Sequence, residues 1–259
     1  MIDIAMAVII GVGVGIVVGA LGAGGGILAV PALAYLLHQS PHAAATGSLV
    51  IVLATALTAL PPKIRRNQVR FREGLVFGSI SVIGSFVGAR LSAFVDGHVL
   101  MGSFAAMLAI MSVVMLREGL KDKRDDGDLP VRRPRGMIAI IVAALGTGFL
   151  TGFFGVGGGF MVVPVLTVVL AFAMREATGT SLLIMIMASA TGLLSRYGQP
   201  IDVDWVIVLG FMFGSMAGGI IGGPLSNKAR TYQLTLIFAT LLGIVAVATA
   251  STVAYQVLA

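Results

Sequence analysis

Ten apolar segments follow one another along the chain, and they restrict its fold more than any other feature of the sequence. Hydrophobic residues fill 58% of the 259 positions and charged residues only 11%, whereas an average soluble domain has about 25% charged residues. One bilayer crossing takes about 20 apolar residues of helix. We therefore expect an all-α polytopic membrane protein embedded in a lipid bilayer. The segments are expected at 4–20, 27–37, 43–60, 74–95, 98–116, 137–152, 159–173, 177–195, 204–225 and 231–250.

The composition also disfavours several classes of function. The chain has no cysteine, which excludes a disulfide scaffold and a thiolate metal site. Its net charge of +6 comes from residues in loops and not from a basic face, so nucleic acid is not an expected partner. Three histidines, His38, His42 and His98, lie in outer loops without a carboxylate cluster. We expect no enzyme activity, no metal site and no cofactor.

The second half of the chain repeats the first. At an offset of 133 positions, the glycines at 24–26 align with those at 157–159, and Pro31 aligns with Pro164. A polar stretch separates the two halves. We predict a first transmembrane repeat at 1–116, a cytoplasmic linker at 117–135 and a second transmembrane repeat at 136–259.

Each half holds about five helical segments, and an odd number reverses the direction in which the second half enters the membrane. The prediction is two inverted repeats, an arrangement typical of secondary transporters. The segment at 27–37 has only eleven residues, or about 16 Å of helix, against an apolar core of about 30 Å. We expect short broken or re-entrant helices after both glycine-rich tracts. A hairpin removes two crossings, so the parity argument is unchanged.

The basic residues predict the orientation. Loops after even-numbered segments hold only Arg196, and Arg90 lies inside a segment. Because cytoplasmic loops carry an excess of Lys and Arg, both termini are expected to be extracytoplasmic. The other Lys and Arg residues lie in loops after odd-numbered segments: Lys63, Arg65, Arg66, Arg70, Arg72, Arg117, Lys121, Lys123, Arg124, Arg132, Arg133, Arg135, Arg175, Lys228 and Arg230.

The two glycine tracts are the first candidate site. Glycine tracts interrupt a membrane helix and expose backbone N–H groups, which are costly unless they face protein, water or a ligand. The helix that starts after each tract carries partial positive charge at its N-terminus, which suits a small anion. Close helix packing through small residues is the alternative. The candidate residues are Gly24, Gly25, Gly26, Gly157, Gly158 and Gly159.

Hydroxyl groups near the start of the third segment of each half form a second candidate site. Thr46 and Ser48 in the first half, and Thr180 and Ser181 in the second, are expected to donate to the anion or, alternatively, to cap their own helices. Arg90 is a possible gate or anion contact, but it also has the length to reach the interface and pair with Asp96. Its repeat equivalent is Pro224, so the duplication does not support the first interpretation.

These motifs resemble those of the sulfite exporter TauE/SafE family. The second half carries them most fully, with Gly155-Val156-Gly157-Gly158-Gly159, Pro164 and Gly179-Thr180-Ser181-Leu182. The first half has Thr46-Gly47-Ser48-Leu49 in swapped order. The resemblance covers nearly the whole chain. It implies a bacterial or archaeal inner-membrane transporter of small sulfur-containing anions such as sulfite, thiosulfate or organosulfonates.

The predicted function is a secondary transporter that exposes one anion site alternately to each side of the membrane. Neither glycine tract completes Gly-x-Gly-x-x-Gly or continues into Gly-Lys-Ser/Thr, so a nucleotide cradle is not expected. The alternative is a passive anion channel, in which the same helix ends line a pore.

Overall fold

The structure is a computed structural model that describes residues 2–21, 26–124, 137–155, 159–198, 201–225 and 231–258. These residues are almost entirely helical. Seven of the helices are long and apolar enough to cross a membrane. The helices are α1 (Ile2–Leu21), α2 (Gly26–Pro31, continued by a π-helical turn at Ala32–Leu36), α3 (Pro41–Ile64), α4 (Phe71–Ser92), α5 (Gly97–Arg124), α6 (Met137–Phe154), α7 (Gly159–Val168), α8 (Met174–Arg196), α9 (Trp205–Leu225) and α10 (Thr231–Leu258).

Each of the ten expected segments coincides with one helix, so the all-α membrane fold is confirmed. Helices α5 and α10 each extend eight residues beyond their expected segments, and the extension of α5 enters the expected linker, 117–135. Helix α5 continues to Arg124, and the rest of the linker lies outside the described residues. The division of the chain into repeats and linker stays a prediction.

Helices α2 and α7 are the short elements expected after the glycine tracts. Each contains a proline, Pro31 or Pro164, which cannot donate a backbone hydrogen bond to the preceding turn. In the first half the helix widens into the π-helical turn directly after Pro31.

Both short helices end in the same way. His38 and Ala171, which are 133 positions apart, have positive φ angles of 52° and 58°. The next residue in each half, Gln39 or Phe172, donates its N–H to a carbonyl six residues earlier, at 2.9 Å and 3.0 Å. A left-handed residue followed by a return bond is a common way to satisfy carbonyls at a helix end; here the bond spans six residues where the usual motif spans five. The shared geometry supports the duplication.

Several helices of the first half pack against helices of the second half. Helix α1 packs on α9, α6 packs on α4, and α5 packs on α10. Helices α3 and α8 contact each other in the centre; α3 also packs on α9, and α8 on α4. The first helix of one half therefore lies against the fourth helix of the other.

Helices α3 and α8 run antiparallel. The side chain of Arg196, the last residue of α8, bonds to Thr46 in the second turn of α3. Further along, Leu49 lies directly against Gly192. Because α3 and α8 are the third helices of their halves, this direction supports the inverted repeat, which together with the orientation of the termini stays a prediction.

Candidate functional site

A buried arginine lies at the end of the central helix pair at which α8 ends. We expected Arg196 in an outer loop, and this expectation is wrong. Helix α8 continues one residue beyond the expected segment and ends at Arg196, whose exposed fraction is only 5%. The side chain enters the helix bundle instead of extending into solvent.

The guanidinium of Arg196 is held by three neutral acceptors on three helices. Nη1 donates to Oγ1 of Thr46 on α3 at 3.0 Å. Nη2 donates to Oγ of Ser92 on α4 and to the carbonyl of Gly152 on α6, both at 3.1 Å. Nε is buried and has no hydrogen-bond partner within the described part of the chain. One donor of the guanidinium fork is therefore buried without a partner in this part of the structure, where an oxygen of a ligand would satisfy it.

The charge of Arg196 has no carboxylate partner among the described residues. An uncompensated charge inside a protein costs several kcal/mol. A small oxyanion would supply the missing charge, and its oxygens match the planar donor fork of a guanidinium. The cation and its neutral acceptors therefore form a candidate anion site.

The second glycine tract begins beside this cluster. Gly152, the carbonyl partner of Arg196, lies in the last turn of α6, one helical turn before Gly155. Gly155 has a φ of +68°, and a Cβ there would collide with the carbonyl of Ala45 on α3. Only glycine satisfies both conditions.

Ser48 fixes the start of this tract. Its hydroxyl lies within hydrogen-bond reach of the carbonyls of Ala45, at 3.0 Å, and Gly155. Ser48 is fully buried, so this hydroxyl ties the end of α6 to α3. Thr46 donates to the carbonyl of His42 at 2.9 Å while it accepts from Arg196. Both hydroxyl protons are thus used within the protein.

The other pair of hydroxyls lies at the opposite end of the helix pair. Oγ1 of Thr180 accepts the backbone N–H of Arg70 at 3.0 Å, and Ser181 donates to the carbonyl of Thr178 at 2.8 Å. About 16 Å of helix separates position 181 from position 192, which lies beside Leu49. The structure therefore does not bring the two hydroxyl pairs together.

The tract glycines are only partly described. Gly26 is buried at the start of α2, and Gly159 begins α7. Gly24, Gly25, Gly157 and Gly158 lie outside the described residues. Their expected contact with an anion stays a prediction.

The surroundings of Arg90 differ from those of Arg196. It is exposed on α4, and its guanidinium lies 5.6 Å from the centre of the Phe86 ring on the same helix. Within the described ranges, no group of three His, Asp or Glu side chains is arranged to hold a metal ion.

One signal in the sequence pointed to Arg196 and was missed. Arg196 lies 133 positions after Lys63, so the two cations occupy equivalent positions at the ends of α8 and α3. Lys63 is likewise buried, with an exposed fraction of 3%. From the sequence, both residues are assigned to loops. Because no other cation then remains near the glycine tracts, backbone N–H groups are expected as the donors to the anion. A repeat-wise comparison of charged positions would have separated this pair from the other basic residues.

Comparisons with known proteins identify one family and several relatives named as membrane transporters. A family model described as Sulfite exporter TauE/SafE matches residues 7–249. A probable membrane transporter protein of Xylella fastidiosa (strain 9a5c) is 33% identical, over 90% of each chain. The probable membrane transporter protein YunE of Bacillus subtilis is 28% identical, over 89% of this chain and 91% of its own. A probable membrane transporter protein of Methanocaldococcus jannaschii is 24% identical, over 92% of this chain and 91% of its own. No solved structure matches the chain significantly.

Proposed function

The chain belongs to the sulfite exporter TauE/SafE family of membrane transporters, and from this premise we propose that it is a secondary transporter of a small sulfur-containing anion. Sulfite, thiosulfate and organosulfonates are the candidate substrates. The anion crosses the inner membrane by alternating access, with the two halves of the chain moving about one site.

The buried guanidinium of Arg196 is the observation that carries this proposal. It lies among neutral acceptors with its Nε unpaired in the described structure, beside the last turn of α6. A buried positive charge on a membrane-spanning helix is conspicuous, since charged residues inside such segments are rare and mark ion or substrate pathways. A small oxyanion is the ligand that satisfies both its charge and its geometry.

The glycine tracts and the hydroxyls complete the proposed site. The backbone N–H groups of Gly157, Gly158 and Gly159 follow directly on the turn that Ser48 holds, and those of Gly24, Gly25 and Gly26 are their repeat equivalents. Thr46 and Ser48 position Arg196 and this turn. Thr180 plays the equivalent positioning role at the other end, where it holds the backbone of Arg70, and Ser181 bonds within α8 beside it.

The test is anion titration on purified variants of Arg196. Removal of a charge-assisted hydrogen bond costs about 1.5–3 kcal/mol, which weakens binding about tenfold to a hundredfold. We expect Arg196→Gln to weaken sulfite binding by this amount and Arg196→Lys, which keeps the charge but not the planar fork, to weaken it less. Isothermal titration in detergent measures both.

Arg90→Gln is the matched control, because it removes the same type of cation from an exposed position on α4. It is expected to bind sulfite as the wild type does. Full-strength binding by a folded Arg196→Gln protein would show that the anion site lies elsewhere.

Transport in proteoliposomes separates a transporter from a channel. Proteoliposomes loaded with unlabelled sulfite take up labelled sulfite transiently against its gradient if the protein is a transporter. Each outward movement of unlabelled sulfite returns the same site to the outside, where it binds labelled sulfite and carries it in. A passive channel only equilibrates the label. Absence of this counterflow, with label entry intact, would replace alternating access by a pore.

A further inference from the structure

Lys63 is the repeat equivalent of Arg196, and it is equally withdrawn from solvent. Lys63 lies in the last turn of α3, and Arg196 lies at the end of α8. The two residues are 133 positions apart, which is the offset of the repeat. Their exposed fractions are 3% and 5%. Since α3 and α8 run antiparallel, the two cations lie at opposite ends of the central helix pair.

Two further cations lie near Lys63. Arg66 and Arg175 both lie close enough to interact electrostatically with its ammonium group. Glu176, the carboxylate next to Arg175 in sequence, is engaged elsewhere: it forms a two-pronged pair with Arg70, with N–O distances of 3.1 Å. These neighbouring cations make the potential around Lys63 more positive, which favours the approach of an anion.

The two cations are too far apart to hold one small anion at the same time. Thr46, which bonds to Arg196, and Lys63 are on the same helix and are separated by about 25 Å. A sulfite-sized anion spans only a few ångströms. If both cations contact the substrate, they do so at different stages of its passage.

We propose that Lys63 is a second anion contact, which receives the substrate at the end of the path opposite to Arg196. The inference rests on the proposed transport function and adds the residue that serves the other face. Exchange of roles between repeat-equivalent residues is the simplest way for two similar halves to offer a site to each side in turn. By the charge rule, Lys63 serves the cytoplasmic face and Arg196 the outer face.

The decisive experiment measures sulfite counterflow separately from each face. Right-side-out and inverted membrane vesicles report the half-saturating sulfite concentration at the outer and the cytoplasmic face. For Lys63→Gln we expect an increase of about tenfold to a hundredfold at the cytoplasmic face and little change at the outer face. Arg196→Gln should show the reverse pattern.

Arg65→Gln is the control, because Arg65 is an exposed cation two residues from Lys63. It should leave both half-saturating concentrations unchanged. If Lys63→Gln does not fold, Lys63→Met, which keeps the apolar stem, and Lys63→Arg, which keeps the charge, are measured. A change confined to the cytoplasmic face in either variant supports the inference.

The possible failures are distinguishable. If folded Lys63 variants behave as the wild type at both faces while Arg196→Gln is impaired, the second contact is refuted and the transport function stands. If variants at neither position alter sulfite counterflow, the proposed anion site at Arg196 is refuted as well.

Discussion

Gly155 combines two demands that only glycine meets at low cost. Its φ of +68° is left-handed, and its Cα lies against the backbone of Ala45. Gly198 has a similar φ of +80°, but a Cβ there would meet nothing within 4 Å. Substitutions at Gly155 and Gly198 therefore separate the free-energy cost of a left-handed backbone from the cost of a steric clash.

Gly155→Ala should destabilise the protein more than Gly198→Ala. A left-handed alanine costs about 1–2 kcal/mol, and crowding against a fixed backbone adds about 1–3 kcal/mol. We expect Gly198→Ala to show only the first cost. The free energy of unfolding in mixed detergent and dodecyl sulfate micelles measures both variants. Equal losses would show that α6 shifts away from α3 freely.

Arg196 shows why hydropathy alone does not locate a site. A single charged residue at the end of an apolar segment has the same local pattern whether its side chain extends into a loop or enters the bundle. The acceptors that decide the matter, Thr46, Ser92 and Gly152, come from three other helices. Only the packing of those helices brings them together.

At the scale of helices, glycines set the closest crossings. Gly11, Gly15 and Gly19 on α1 face backbone carbonyls of α9, whereas Gly13 on the same helix faces open space. Gly148 and Gly152 on α6 approach the carbonyls of α4 in the equivalent way. Small residues allow such approach in membrane helices. Close packing therefore accounts for these glycines of the long helices, apart from Gly13.

The α1–α9 crossing yields a prediction with its control on the same helix. Gly15→Ala places a methyl group against the carbonyl of Ser215 and should lower the free energy of unfolding by about 1–3 kcal/mol. Gly13→Ala meets no neighbour and should be neutral or stabilising by up to about 1 kcal/mol, since alanine is the better helix former. Unfolding in mixed micelles measures both. A Gly15→Ala protein as stable as Gly13→Ala would contradict the tight crossing.

Buried hydroxyls join the same helices. Thr55 on α3 and Ser215 on α9 share a hydrogen bond of 2.8 Å, and Ser85 on α4 donates to the carbonyl of Ala188 on α8 at 3.1 Å. Each such bond contributes about 0.6 kcal/mol in a membrane protein. These bonds fix the register of the packing, because they determine which turns of α9 and α4 meet the central helices α3 and α8.

At the scale of the whole molecule, the charge asymmetry predicts the topology. The loops after odd-numbered segments carry nearly all the Lys and Arg residues, so they should be cytoplasmic. At position 125, only a reporter that works in the cytoplasm should be active. After position 259, only a reporter that works outside the cytoplasm should be active. Alkaline phosphatase and green fluorescent protein fusions measure this. A cytoplasmic carboxyl terminus would refute the inverted arrangement.

The class of this protein, and the number and order of the helices that the structure describes, follow from the sequence alone. Apolar segments of sufficient length must form helices in a bilayer, because every backbone group needs a partner there. The glycine tracts and prolines, repeated 133 positions apart, likewise predicted where the short helices α2 and α7 begin. These are local properties, which a window of residues contains in full.

The tertiary structure alone decided which side chains share a site. It placed the two expected hydroxyl pairs at opposite ends of α3 and α8, and it buried two cations, Arg196 and Lys63, that hydropathy assigned to loops. The physical reason is that burial of a charge depends on acceptors from distant segments. Those contacts exist only after the antiparallel packing of α3 on α8 has set which turn of one helix faces which turn of the other.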